Sequence, residues 1–556
     1  MTFNLKEFKN DLLFLPLGGS GEIGMNLNMY YYNGKWLIVD IGIGFADPSF
    51  PGVDIIVPNI NFLISQKKNI AGILLTHAHE DHIGGVPYLW EEIQAPIYTN
   101  NFTGTVLKAK LKEYGLLGKV PIKILESNSP TKIGPFEIEM INITHSILEN
   151  NGIMIRTEVG NVFHTGDWKI DNNPGLGHLT DKKKLKQLGK EGVLAMVGDS
   201  TNIFNPGRSG SEGDLEESLK DIIMKCKTGM VVVTTFASNV ARLQSIAKAA
   251  KEAKRKVILV GRSMWRMYKA AKDCGYLDDI DEFLEDKAAA GLPRESLLLI
   301  TTGCQGEPLA AVNKLASNAH PNLKVIAGDT IIFSSKIIPG NDKKIYSLFN
   351  RFCKMGVEVL TERDHFVHVS GHPAIDEVAE MYSFIKPKIA IPVHGEAVHI
   401  HAHAKFAKEL GCTHSVEIEN GDVLCITGDK PKKVAKVESG YMLIDGDSII
   451  DEDSHVIKIR RKIRDNGAIF VSINSLKKNK KSQISSVSLS APGLLDRSLD
   501  ADMIRVIEDE ILNLNLASGA TDGEIEKTII AFVKKFIKKE LSKFPEIVVH
   551  ISSDKI

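Results

Sequence analysis

The residues 77–82 read His-Ala-His-Glu-Asp-His, so three imidazoles and two carboxylates fall within six positions directly after an apolar run. If that run is a strand, His77 and His79 point the same way and can bind one ion together. If the chain then turns, Asp81 and His82 can reach a second ion. Imidazole with carboxylate suits zinc or manganese better than calcium or magnesium. The stretch therefore predicts a site for two such ions side by side.

Two ions require more ligands than this stretch offers, because each takes about four to six, water included. His145, Asp167 and His394 each follow an apolar strand-like run and precede a glycine or a turn. A carboxylate at Asp167 could bridge both ions. His164 is an alternative ligand near Asp167, although its pattern favours a structural role. Glu80, which lies between two of the ligands, is expected to be a surface residue or to support them.

The order of predicted elements changes after about residue 205. Short apolar strands at Met230–Thr234, Lys256–Val260, Leu297–Thr301 and Thr330–Phe333 now alternate with helical patterns at Asp214–Lys227, Asn239–Ala253 and Trp265–Cys274. That alternation predicts a parallel, doubly wound insert, whose strand ends are the usual place for ligands. From about residue 450, basic clusters at 460–464 and 477–481 and helical patterns at Ala501–Leu512 and Glu524–Leu541 predict a small α+β domain.

Composition limits the class of protein. A chain of 556 residues is too long for a single hydrophobic core, so several domains are expected. A content of 43% hydrophobic and 25% charged residues is typical of soluble globular proteins. A net charge of −1 means that any nucleic-acid contact must come from a local basic groove. The six cysteines have no CxxC spacing, and we find neither a signal-peptide pattern nor a membrane-length apolar run. These features predict a cytoplasmic protein that does not insert into a membrane.

The same residues resemble a known family. The stretch 77–82 with His145, Asp167 and His394 is similar to the pattern of metallo-β-lactamase-fold hydrolases. Residues 199–201 (Asp-Ser-Thr), 368–372 (His-Val-Ser-Gly-His) and 394–396 (His-Gly-Glu) resemble the β-CASP nucleases of that superfamily. Four stretches look specifically like bacterial ribonuclease J, namely Leu17–Asn26, Thr235–Asn239, Thr302–Pro308 and Ile338–Asn341. Three positions depart from the family pattern, at Cys304, Asp342 and Leu148-Glu149, and none of them removes a ligand.

The resemblance implies an α/β fold: a metallo-β-lactamase αββα sandwich with an inserted β-CASP α/β domain and a small C-terminal α+β domain. We expect the first part of the metallo-β-lactamase domain at 1–205, the β-CASP domain at 206–365, the second part of the metallo-β-lactamase domain at 366–450, and the C-terminal domain with its linker at 451–556. By resemblance, this last domain supports dimers or tetramers.

The resemblance also implies roles. His77, His79 and His145 would bind one ion, Asp81, His82 and His394 the other, and Asp167 would bridge the two. His372 would stabilise phosphate charge or protonate the leaving oxygen, Asp199 would orient His372, and Asp81 would help to orient or deprotonate the water. Without the resemblance, Asp199-Ser200-Thr201 could equally cap a helix. The family holds the RNA 5′ end, including a terminal monophosphate, in regions that correspond to Phe236, Ala237, Ser238, His368, Val369, Ser370, Gly371 and His372.

The resulting hypothesis is a two-metal ribonuclease that acts 5′→3′ on 5′-monophosphate RNA, with endonuclease activity as a second mode, in RNA maturation and decay. The alternatives are a β-CASP DNA nuclease, a small-molecule ester or thioester hydrolase of the same superfamily, and a non-catalytic RNA-binding relative. The large insert and His372 argue against a small-molecule enzyme, and the presence of all seven candidate ligands argues against a non-catalytic one. The expected partners are RNA, further copies of the chain and other RNA-decay proteins. His401 and His403 look like a ligand pair, but their helical context predicts surface positions.

Overall fold

The computed structural model describes residues 4–428, 430–478, 481–496, 498–518 and 520–555. These fall into two compact units: residues 1–44 with 57–440, and residues 45–56 with 441–556. The side chains of the basic cluster at 477–481 lie outside the described residues. The boundaries of the four domain segments given above stay predictions.

Two sheets form the body of the first unit. One has eight strands in the order Lys432–Lys436, Asp422–Cys425, Leu13–Gly18, Leu27–Tyr32, Lys35–Val39, Ile70–Leu74, Ile97–Thr99 and Ile122–Ile124. The other has seven in the order Thr131–Ile133, Phe136–Asn142, Asn151–Thr157, Gly160–His164, Ala195–Asp199, Ile389–Val393 and His414–Ser415. Apolar side chains of both sheets, including Phe14, Leu37, Ile155 and Val197, share one buried cluster. The two sheets therefore pack face to face.

Helices cover the outer faces of the two sheets. Leu185, Met381 and Ala407 pack with Phe163 and Met196 of the seven-stranded sheet. The α-helices of the sandwich are Asn61–Ser65, Glu80–Ile83, Val86–Ile93, Asn101–Glu113, Lys182–Glu191, Ile375–Ile385 and Ala397–Glu409. The predicted αββα sandwich is confirmed.

The segment between the strands Ala195–Asp199 and Ile389–Val393 holds a third sheet. It is wholly parallel, with the strand order Lys256–Val260, Leu297–Thr301, Val231–Thr234, Thr330–Phe333 and Glu358–Leu360. The accompanying helices are Glu212–Lys225, Val240–Glu252, Arg262–Asp273, Ala311–Ala316 and Asp342–Lys354. Every residue of the strand Val231–Thr234 is buried, as expected for a parallel sheet with both faces covered. The predicted doubly wound insert is confirmed.

The second unit contains a three-stranded sheet in the order Lys481–Ser490, Ala468–Lys478 and Glu546–Lys555. Its helices are His455–Asn466, Ala501–Leu512 and Asp522–Leu541. Ile469 and Val471 of the central strand pack with Ile507 and Ile529 of two helices. A four-stranded sheet joins Ser448–Ile450, Tyr441–Asp445, Ile55–Pro58 and Gly44–Phe45 in that order. Among the described residues, no helix is both long and apolar enough to cross a membrane.

Candidate active site

Strand ends bring the candidate ligands together. The strands Gly160–His164, Ala195–Asp199 and Ile389–Val393 are parallel neighbours, with Val197 opposite both His164 and Ile391. Their carboxyl ends therefore meet at one edge of the sheet, where Asp199 ends its strand and Asp167 and His394 follow theirs. The chain also turns where the sequence predicts, since a short helix, Glu80–Ile83, begins directly after His79.

One group of donors consists of His77, His79, His145 and Asp167, with one ligand atom of each lying within 4.8 Å of the others. The Nδ1 atom of His79 lies 3.0 Å from Nε2 of His77 and 3.1 Å from Nε2 of His145. The Oδ2 atom of Asp167 lies 4.0 Å from Nε2 of His145. Three imidazole nitrogens and one carboxylate oxygen thus surround a common point.

A second group consists of Asp81, His82, Asp167 and His394, again within 4.8 Å. The same Oδ2 atom of Asp167 lies 3.1 Å from Nε2 of His82 and 3.3 Å from Nε2 of His394. The carboxylate of Asp81 lies 3.6 Å from the first of these nitrogens and 3.8 Å from the second. Asp167 is therefore common to both groups.

The donor set fits divalent metal ions. Burial is the main cause that holds the pKa of His77 and His145 well below 6.5 and that of His79 at about 4. These three imidazoles are consequently neutral near pH 7, which is the form that binds a metal. Burial also acts on His82 and His394, but the carboxylate of Asp167 raises both pKa values. A cation bound beside Asp167 would take the place of those protons.

Residues outside the two groups orient the imidazoles. The Oδ2 atom of Asp40, which is fully buried, lies 2.7 Å from Nδ1 of His82. The Oγ1 atom of Thr76 lies 2.9 Å from Nδ1 of His77, and the carbonyl of Gly371 accepts from Nδ1 of His145 at 2.6 Å. Such partners select the tautomer and direct the other ring nitrogen at the metal. Sequence analysis missed Asp40, although a carboxylate directly after the strand Lys35–Val39 was a signal for it.

We predict that Asp40→Asn weakens divalent-ion affinity by about 10- to 100-fold, because the neutral amide holds the His82 ring less firmly. Titration of the metal-stripped chain against a chelator of known affinity measures this loss. Asp422→Asn is a matched control, since Asp422 is also buried and lies in the same sheet, where it pairs with Lys433. Equal affinities in the two variants would contradict the prediction.

His372 lies beside the metal donors without belonging to the two groups around Asp167. Its Nδ1 atom is 2.7 Å from Oδ2 of Asp199 and 4.0 Å from Oδ2 of Asp167. Burial alone would lower the pKa of His372, but the carboxylate of Asp199 raises it to about 9. Asp199 also accepts the backbone N–H of Thr201 at 2.8 Å, but a turn follows instead of a helix, so the helix-cap alternative is wrong. Since His372 keeps 24% of its side chain exposed, it can reach a substrate.

The structure separates the predicted RNA-binding residues into two places. Residues 368–372 lie against the metal donors, through the carbonyl of Gly371 and the ring of His372. Phe236, Ala237 and Ser238 are half-buried at the end of the strand Val231–Thr234 of the insert. The Nδ1 atom of His368 is buried and has no hydrogen-bond partner among the described residues. Burial, reinforced by the nearby Arg242, lowers the pKa of His368 to about 3.

Other residues singled out in the sequence have structural surroundings. The hydroxyl of Tyr30 lies 2.9 Å from Nδ1 of His164, and Glu80 pairs with the buried Lys110. His401 is exposed, as expected. The expected surface position of His403 is wrong: it is buried, with Oγ of Ser200 and the hydroxyl of Tyr382 each 2.9 Å from a ring nitrogen. The residue pattern along the helix did not predict contacts with Ser200 and Tyr382, which belong to other segments of the chain.

Four family models match consecutive parts of the chain. They are a β-lactamase superfamily domain (residues 35–180), a ribonuclease J β-CASP domain (228–352), a Zn-dependent metallo-hydrolase RNA specificity domain (356–418) and a ribonuclease J C-terminal domain (455–553).

Whole-chain relatives agree with these matches. Ribonuclease J of Sinorhizobium meliloti is 42% identical over 83% of this chain and 83% of its own length. Ribonuclease J of Helicobacter pylori strain 26695 is 33% identical over 98% of this chain and 80% of its own length. Ribonuclease J2 of Bacillus subtilis is 33% identical over 88% of both.

A crystal structure of a protein of unknown function from Enterococcus faecalis V583 covers 74% of this chain and 99% of its own, with a TM-score of 0.52 and 14% identity. That likeness concerns the fold alone. The identities and coverage of the curated relatives show that the chain belongs to the ribonuclease J family.

Proposed function

We propose that this chain is a metal-dependent ribonuclease that binds two divalent ions, zinc or manganese, and removes nucleotides from the 5′ end of 5′-monophosphate RNA. Internal cleavage is a second mode of the same site. The observation that carries the proposal is the single carboxylate of Asp167, which lies within 3.3 Å of His82 and His394 and also belongs to the group of His77, His79 and His145. Two ions held by these donors would suit in-line phosphodiester hydrolysis.

The proposed ligand sets follow the two groups of donors. His77, His79 and His145 would hold one ion, Asp81, His82 and His394 the other, and Asp167 both. Ions bound there would supply Lewis-acid activation of the phosphate and of the attacking water. Asp81 has 32% of its side chain exposed, so it can also orient that water and accept its proton.

His372 would act on the leaving group. Water attacks phosphorus, the bond to the 3′-oxygen breaks, and the electron pair remains on that oxygen. The Nδ1–H group of His372 donates a hydrogen bond to Asp199, which leaves Nε2 of the ring available to protonate the departing 3′-oxygen. The products are a nucleotide with a free 3′-hydroxyl and a shortened RNA with a new 5′-phosphate.

Residues 368–372 and 236–238 would form the site for the RNA 5′ end. Ser370 supplies a hydroxyl, Gly371 lies between it and the catalytic His372, and Phe236 supplies a ring that a base can stack on. A site built from these two segments would accept one terminal phosphate, whereas a triphosphate would carry two further phosphates into the same space. We expect the 5′-monophosphate to be preferred for this reason.

RNA is favoured over DNA and over small esters. The match to a model described as an RNA specificity domain covers residues 356–418, which include residues 368–372. A free-standing ester hydrolase has no need of the five-stranded insert. Further parts of the proposal are a cytoplasmic location, consistent with six unpaired cysteines, homodimers or homotetramers, and contacts with other RNA-decay proteins.

Cleavage of RNAs labelled at either end tests the function. The purified chain is incubated with 5′-monophosphate and 5′-triphosphate RNAs of one sequence, and with the matching DNA, in zinc and in manganese. The expected result is stepwise release of 5′-mononucleotides from the monophosphate RNA, with slower attack on the triphosphate. Faster cleavage of DNA would favour the DNA-nuclease alternative, and an absence of cleavage in both metals would overturn the proposal.

A further inference from the structure

The insert contains a buried ion pair that sequence analysis did not identify. Arg242 has 1% of its surface exposed and faces Glu212, which has 2% exposed. Nε of Arg242 donates to Oε2 of Glu212 and Nη2 donates to Oε1, both at 2.9 Å. Burial alone would raise the pKa of Glu212, but Arg242 lowers it to about 2. The pair is therefore ionised and bidentate, and its planar geometry fixes both side chains.

On one side, this Glu212–Arg242 pair holds the segment 236–238. Asn239 donates from Nδ2 to Oε1 of Glu212 at 3.0 Å, and its own Oδ1 accepts the backbone N–H of Arg242 at 2.9 Å. The backbone N–H of Asn239 in turn donates to the carbonyl of Phe236 at 3.2 Å. The turn that carries Phe236, Ala237 and Ser238 is thus connected to the pair through one asparagine.

On the other side, the pair holds the segment 368–372. Nη1 of Arg242 donates to Oγ of Ser334 at 2.6 Å, and that hydroxyl donates to the carbonyl of Val367 at 2.7 Å. Val367 directly precedes His368. Gly371 lies four residues after Val367, and its carbonyl accepts a hydrogen bond from the metal-ligand candidate His145. The guanidinium is therefore linked to both proposed walls of the RNA 5′-end site, through Glu212 and Asn239 on one side and through Ser334 on the other.

We propose that Arg242, with Glu212 and Ser334, is a positioning residue that sets the spacing between these two walls and so determines the preference for a 5′-monophosphate. The inference rests on the proposed function. It assigns no contact with RNA to Arg242, which is buried. A displacement of about 1 Å in residues that position a substrate can cost about 100-fold in rate, so loss of the bidentate geometry has a measurable effect.

The test compares 5′-monophosphate and 5′-hydroxyl RNAs of one sequence, with kcat and KM measured for each. In Arg242→Lys, which keeps the charge but loses the planar fork, we expect the ratio of kcat/KM between the two RNAs to fall at least about tenfold, mainly through KM for the monophosphate RNA. Metal content stays at the wild-type level. Ser334→Ala removes one hydroxyl and leaves the ion pair intact, so it folds, and we expect a fall of about fivefold in the same ratio.

Arg255→Lys is the matched control. Arg255 is also a buried arginine of the insert, with 6% exposed. It donates to the carbonyls of Gly229 and Leu297, which lie at the amino-terminal ends of two strands of the insert, whereas residues 236–238 follow a carboxyl-terminal end. Its substitution lowers thermal stability without changing the ratio. Wild-type ratios in both Arg242→Lys and Ser334→Ala would overturn the inference while leaving the proposed function intact. A wild-type chain that does not distinguish the two RNAs would instead overturn the proposed 5′-end preference itself, and the inference with it.

Discussion

Asp167→Asn is expected to reduce RNA cleavage by at least about 1000-fold while the chain remains folded. The Oδ2 atom of Asp167 is the one donor shared by both groups of ligands, and it lies 3.1 Å and 3.3 Å from the nitrogens of His82 and His394. An amide of the same shape lacks the negative charge that would hold two cations near each other. Initial rates on 5′-monophosphate RNA, together with metal content by mass spectrometry, measure the effect.

Asp181→Asn is the control for this variant. Asp181 belongs to the same sandwich but lies outside the two groups of ligands, where it caps the helix Lys182–Glu191 by accepting the backbone N–H of Lys184 at 2.9 Å. Because asparagine caps a helix about as well as aspartate, this substitution is expected to leave both stability and cleavage close to wild type. Wild-type rates in Asp167→Asn, with circular dichroism showing a folded chain, would contradict the shared-ligand arrangement.

His372→Gln is expected to lower kcat by about 100- to 10,000-fold with unchanged metal content, because a general acid contributes about that much. Asp199 lies 2.7 Å from the His372 ring and is proposed to act only through it. The double variant Asp199→Asn with His372→Gln is therefore expected to be no slower than His372→Gln alone. Single-turnover rates give these comparisons. His401→Gln is the control, since that histidine is 69% exposed and pairs with Glu417.

A substrate with sulfur in place of the bridging 3′-oxygen distinguishes the role of His372. A thiolate leaves without a proton, so the deficit of His372→Gln shrinks on this substrate if the imidazole protonates the leaving group. An undiminished deficit would contradict that role and favour stabilisation of phosphate charge instead.

Local patterns predicted four of the five strands and three of the five α-helices that the structure describes in the insert, but not the strand Glu358–Leu360 or the helices Ala311–Ala316 and Asp342–Lys354. The strands Lys256–Val260, Leu297–Thr301 and Thr330–Phe333 and the helix Ala501–Leu512 of the second unit have the bounds expected from the sequence. Short apolar runs between amphipathic helices have few alternative arrangements, so their periodicity was sufficient. The three parallel strands that end near Asp167, Asp199 and His394 were predicted from the same kind of run.

Contacts between distant residues were not predictable in this way. Asp40 lies 42 positions from His82, and Arg242 lies 30 from Glu212 and 92 from Ser334. His403 is buried because Ser200, 203 positions away, contacts its ring. Residues 45–56 belong to the same compact unit as 441–556, which no local sequence pattern in 45–56 predicts. Each of these contacts depends on the tertiary arrangement, which helical and strand periodicities do not predict.

Metal titration of the stripped chain tests the central claim most directly. The chain is freed of metal with a chelator, and release of mononucleotides from a 5′-monophosphate RNA is followed as zinc or manganese is returned in measured equivalents. We predict no release from the metal-free chain and full activity at two bound ions per chain. Undiminished cleavage by the metal-free chain, or full activity at one bound ion, would contradict a two-metal ribonuclease.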